Sequence, residues 1–136
     1  MDQTVRESSK PHRRGRVIRM MLIAFFILFL LPLATHAAWW ASHNRAWNWS
    51  SANWSSSGIL PPPASEPGAV VHVLAGRTGG GSGVFAHHTW GLTKAAGAKR
   101  YTRYDVVGWG RPVRTDNWAP DGNWYSNTPA ILVTLT

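Results

Sequence analysis

The run PHRRGRVIRMMLIAFFILFLLPLATHAAWW constrains this chain more than any other stretch. Arg13, Arg14, Arg16 and Arg19 precede twelve uninterrupted apolar residues, 20–31. Extending the count to Trp40 gives 21 residues in which only Thr35 and His36 are polar. As a helix they reach across about 30 Å of hydrocarbon. Trp39 and Trp40 then fall where an interfacial aromatic belt belongs. The same residues also have the parts of a secretory signal: a basic flank, an apolar centre, and a cleavage site after Ala37 with Thr35 and Ala37 at the small positions. Anchor and signal both remain open. Either one puts 1–19 inside as a basic cytoplasmic N-terminus and everything after about residue 40 outside, because the positive charge lies on the N-terminal flank. That flank also argues against a helix buried in a soluble core.

Charge points the same way. Six basic residues against Asp2 and Glu7 give +4 within the first 19 residues, half of the chain's +8. The later basic residues are scattered and interrupted by acids, so no nucleic-acid partner is expected. There is no cysteine. A disulfide, a thiolate zinc site and a cysteine nucleophile are therefore excluded within these residues.

Five of the nine tryptophans, at 39, 40, 47, 49 and 54, fall within sixteen residues. The segment 41–66 is otherwise Ser-, Asn- and Pro-rich and reads as a membrane-proximal linker. Its tryptophans either lie at the membrane surface or pack under the downstream domain. Pro61, Pro62 and Pro63 stop any helix and stiffen the chain, which places the start of a small β domain near residue 67.

From there the pattern is mainly β. AVVHVLAGR alternates and is β-branched, predicting a strand over 69–75, and GRTGGGSG reads as a flexible loop without the lysine of a phosphate-binding loop. VFAHHTWGLTK predicts a second strand with its turn at 95–98. KRYTRYDVVGWG predicts a third over about 100–109. Turns at 120–122 and 127–129 precede a last apolar run. This meander of three or four strands leaves one sheet face uncovered, so the expectation is a small domain over 67–136 that is incomplete, the front half of an α+β domain.

The succession SSSGILPPPASEPGAVVHVLAGRT, VFAHHTWGLTKAAGAKRYTRYDVVGWG and PDGNWYSNTPAIL, about residues 55–135, resembles the front half of an uncharacterised bacterial domain-of-unknown-function family. Its most specific parts are His88 to Trp90 and Tyr101 to Trp109. The resemblance implies an exported or membrane-associated protein and a further segment beyond 127–129. It also implies an acidic residue where Ile131 stands. It supplies no activity.

His88, followed by TWGLT, is also similar to the layout of circularly permuted papain-like hydrolases such as the lecithin retinol acyltransferase-like group. There a histidine at the start of an early strand serves as general base. Asp105 on the next strand is the candidate to orient it. No nucleophile is visible. The plain alternative is that His87 and His88 point to opposite faces of one strand, one exposed and one hydrogen-bonded, with Trp90 on the His88 face. For the same reason at most two of His72, His87 and His88 converge, so no metal site is assigned and no cofactor is expected. Trp90, Trp109, Trp118 and Trp124, with Tyr125, form a candidate platform for a glycan, Asp116, Asp121 and Asn123 bonding its hydroxyls. The competing reading makes these rings core. The expected function is a membrane-anchored or exported bacterial envelope protein, a structural or binding module. Its partners would be membrane lipid and an envelope protein or glycan. The alternative is a truncated papain-like hydrolase or acyltransferase domain with His88 as base.

Overall fold

A computed structural model describes residues 11–43 and 46–136. Two compact units divide between Trp39 and Trp40. Helix makes up the described part of the first: α1 (Pro11–Phe25), a π-turn (Phe26–Leu30) and α2 (Leu31–His43) follow one another without a break, and the last turn of α2, from Trp40, belongs to the second unit. Helix thus extends beyond the apolar run at both ends. The π-turn has a local cause. Pro32 has no N–H, and its ring crowds the carbonyl of Leu28 four residues back. The Leu31 N–H reaches five residues back to the Phe26 carbonyl, widening the helix at that point. The 31 residues Arg13–His43 have a mean hydropathy of 2.6 over their most apolar stretch, long and apolar enough to cross a membrane by length and composition.

The second unit holds a five-stranded antiparallel sheet in the order β4-β3-β2-β1-β5. The strands are β1 (Val70–Arg77), β2 (His87–Lys94), β3 (Thr102–Val106), β4 (Val113–Thr115) and β5 (Ala130–Leu135). The first three are the expected strands, and β4 continues their meander. The last returns to the free edge of β1, with a bulge between Val73 and Leu74. β3 stops at Val106, earlier than its sequence suggests. The chain doubles back through Gly108 and Gly110, the latter at φ +63°, and the Val107 N–H meets the Pro112 carbonyl at 2.8 Å. The three-residue β4 that follows was not foreseen.

Alternation divides the sheet into two faces. One carries His72, Leu74, Trp90, Leu92, Arg103 and Asp105, all buried. Leu74, Trp90, Leu92 and Trp124 make its core, with Trp54, Ile59, Leu60, Trp118 and Tyr125 packed against them. The segment expected as a linker is therefore part of this cover. Ser56 bridges to Gly122, and the Asn123 N–H donates to the Ser55 carbonyl at 2.9 Å. A sheet face of this size needs apolar cover, and Trp54, Ile59 and Leu60 supply it. The opposite face presents Val71, Tyr104, Val106, Val133 and Leu135 to solvent.

The glycine-rich connection from β1 to β2 is a hydrogen-bonded turn and not an open loop. Trp40 donates its indole N–H to the Gly80 carbonyl at 2.9 Å. A Cβ on Gly83 would lie 2.2 Å from the Trp40 ring and 2.3 Å from the Thr78 carbonyl. Gly83 is thus required for Trp40 to be seated.

Candidate functional site

β2 and β3 together build one polar centre on the covered face. Their register sets Trp90 opposite Asp105, which makes His88 the diagonal neighbour of Asp105 on the same face. His88 Nε2 lies 2.7 Å from Asp105 Oδ1. Arg103, two residues before Asp105 and so on the same face, donates Nε to Oδ2 at 2.8 Å and Nη2 to Oδ1 at 2.9 Å. Its Nη1 donates to the Ala119 carbonyl at 2.8 Å, and its guanidinium lies 3.9 Å above the Trp90 ring. Arg103 and Asp105 have side chains with no exposure at all. The imidazole of His88 stacks on Trp124 at 3.9 Å with 18° between the planes. Gly76, opposite His88 in the register, makes this possible: a Cβ there would come within 2.8 Å of Trp124 Cβ.

The protonation pattern follows from the partners. Burial alone would push the Asp105 carboxyl up, but the hydrogen bonds from His88 and Arg103 and the guanidinium charge outweigh it and hold the group below its usual range. An ionised Asp105 only accepts, so His88 donates from Nε2–H, and in the neutral ring Nδ1 is then the nitrogen with the lone pair. Nδ1 makes no hydrogen bond among the described residues and is not a buried atom, and the side chain is 13% exposed. A neutral imidazole oriented in this way can take a proton at Nδ1 while Asp105 stabilises the resulting cation.

The depressed carboxyl also predicts an acid response. Folded Asp105 binds fewer protons than unfolded Asp105, so its contribution is complete above the ordinary carboxylate range, about pH 4, and is lost as pH falls through the lower native value. The denaturant midpoint of the full chain in detergent is expected to hold from neutral pH to about pH 5 and then decline. A midpoint unchanged on acidification would contradict an ionised, bonded Asp105.

The model of a family described as "Protein of unknown function (DUF3750)" matches residues 68–136, half of the chain. The chain belongs to that family. No curated protein and no solved structure matches it. The DUF3750 region contains all five strands and the whole His88, Asp105, Arg103 and Trp124 constellation. Trp49 and Trp54, which pack against Trp124, precede it.

The expected aromatic platform does not form as proposed. Within the DUF3750 region Trp90 and Trp124 are each 2% exposed and Trp118 is half-buried, so their faces are occupied by protein. Trp109 alone of the four stands out, 53% exposed. The polar groups assigned to sugar hydroxyls are engaged in turns. Asp121 accepts from Ser56 Oγ at 2.6 Å and the Gly58 N–H at 2.7 Å, Asn123 Nδ2 donates to the Ser55 carbonyl, and Asp116 Oδ1 accepts the Arg103 N–H. A small sheet with so little aliphatic core fills its interior with indole.

His87 is exposed and His88 faces inward, as strand alternation requires. His72 lies opposite Leu92, four residues along β1 from the partner of His88 and so about 13 Å away. Among the described residues no three metal-ligating side chains come together. His72 belongs to a second cluster, where its Nδ1 meets Thr134 Oγ1 at 2.9 Å and its Nε2 stands 3.6 Å from Glu66 Oε2. Tyr101 donates to Glu66 there, and burial together with that carboxylate raises the phenol's pKa. Sequence reasoning missed Arg103 as second partner of Asp105, although its i, i+2 spacing on a strand was a usable signal.

Proposed function

We propose that this DUF3750 member is a membrane-anchored bacterial envelope protein whose β domain, on the outer side of the membrane, uses His88 as a general base. One observation carries the reading: the 2.7 Å contact from His88 Nε2 to Asp105, which commits that nitrogen and leaves Nδ1 open. The apolar helix over Arg13–His43 supports the anchor, and the basic residues before it support the orientation. No nucleophilic side chain bonds Nδ1 among the described residues. The proton taken is therefore that of water, or of a hydroxyl or amine brought by the substrate. Attack by that oxygen or nitrogen on an acyl carbon, with the bond to the acyl group's own alcohol or amine breaking and that leaving group taking the proton back from Nδ1, is the matching reaction class, hydrolysis or acyl transfer.

The test uses the full chain in detergent micelles with p-nitrophenyl esters of short acids. His88→Gln is expected to lower the rate of p-nitrophenolate release by about 10²–10⁴-fold, the usual contribution of general-base catalysis, while a glutamine amide still donates to Asp105 and keeps the fold. Equal rates for the two proteins would return the domain to a structural or binding role.

A further inference from the structure

Five large aromatic side chains stand exposed on the second unit: Trp47 by 61%, Trp49 by 43%, Phe85 by 69%, Trp109 by 53% and, on the outer sheet face, Tyr104 by 43%. Ring and backbone contacts link Trp47, Trp49 and Trp109 into one surface, and Phe85 adjoins it along the chain. The Trp109 ring meets Trp49 edge to face at 6.0 Å, and Trp49 meets Tyr125 at 5.9 Å. Gly79 lies so close to Tyr125 that a Cβ would come within 2.1 Å of its ring. Gly80, next along, backs onto Trp47, and the turn Gly80–Val84 that starts there leads into Phe85. Contiguous exposed apolar surface of this kind marks an interaction site.

The charges beside it are basic. Arg111 is exposed two residues beyond Trp109, and Arg114 donates Nη2 to the Trp109 carbonyl at 2.9 Å. Arg77 donates to the Gly83 carbonyl behind the turn. Most carboxylates of the unit are engaged elsewhere. Asp105 and Asp121 are buried, Glu66 is bonded to Tyr101, and Asp116 is exposed with one oxygen accepting a backbone N–H. From residue 46 onward seven basic residues face four acidic ones, a balance of +3.

We propose that this surface seats the β domain on an anionic bilayer, with the indole and phenyl rings at headgroup level and the exposed Arg111 toward lipid phosphate. Indole is at home in that layer because its body is apolar and its N–H stays wet, and arginine beside it adds attraction to negative lipid. A sugar partner fits less well, since the neighbouring polar side chains are already bonded within the domain. A span over Arg13–His43 would keep the domain continuously within reach of lipid, raising its effective concentration there. This seating does not depend on the proton transfer assigned to His88.

The lack of cysteine makes the test clean. Phe85→Cys, Trp109→Cys and, as reference, Lys99→Cys each carry a nitroxide label on the full chain in vesicles. Phe85 precedes β2 and Lys99 follows it, so the eight residues of that strand separate the two by about 26 Å. In phosphatidylcholine vesicles containing phosphatidylglycerol, labels at 85 and 109 are expected to lose collisions with a water-soluble nickel chelate and gain collisions with oxygen, while the label at 99 stays open to nickel. With phosphatidylcholine alone the protection is expected to weaken. Labels at 85 and 109 as open to nickel as the one at 99 would overturn the proposal. So would protection indifferent to the anionic lipid, or spin–spin broadening that reports contact between copies in place of lipid.

Discussion

Arg103→Leu is expected to destabilise the β domain by about 3–5 kcal/mol, measured by chemical denaturation of the full chain in detergent. The loss does not come from a bridge of great intrinsic strength. Two charges with no exposure have been removed from water, and their attraction roughly offsets that penalty. Removing the guanidinium alone leaves Asp105 charged in the core with only His88 as partner, leaves the Ala119 carbonyl without its donor and bares the Trp90 face. The size of the effect is thus the cost of an orphaned charge. It follows that Arg103→Leu combined with Asp105→Leu should be markedly less harmful than the sum of the single changes, a coupling that a double-mutant cycle reads directly. A single change costing under about 1 kcal/mol would mean that water reaches the pair.

Trp124→Ala is expected to cost a similar amount, about 3–5 kcal/mol, from lost burial and the cavity left behind. Trp124 is 2% exposed and lies under His88 at 3.9 Å, beside Trp54 at 5.1 Å and Trp118 at 5.2 Å. Its removal takes away the plate on which the imidazole rests as well as the centre of the core. Trp109→Ala, at an exposed ring, is expected to stay within about 0.5 kcal/mol of the parent. Equal losses at the two positions would contradict the division of these tryptophans into core and surface.

The elements legible from sequence were those written in local pattern. The apolar helix, the alternation of VVHVLAGR and the Pro-Asp-Gly turn each carry their own signal. The pairing of β5 with β1 does not, because it joins residues some sixty positions apart and depends on which edge remains free. Trp54, Ile59 and Leu60 lie in a Ser- and Pro-rich stretch with no periodicity, and only the face they cover explains them. Of the site, His88 and Asp105 were found because neighbouring strands of a meander bring such residues together. Arg103 was missed because charged residues are normally exposed, and its burial follows from Asp105 and Trp90, not from its own surroundings in the chain. The Gly83 seat was read as looseness for the same reason: its partner, Trp40, is distant in sequence and was assigned to the membrane.

The most direct test is the tautomer of His88, read from long-range nitrogen–proton correlations in the full chain labelled with ¹⁵N histidine, with His88→Gln to assign the signal. With the imidazole neutral, the proton should reside on Nε2, and Nδ1 should show the shift of an unprotonated nitrogen. A proton fixed on Nδ1 would leave no base for the reaction and would reduce the His88 and Asp105 pair to a core hydrogen bond.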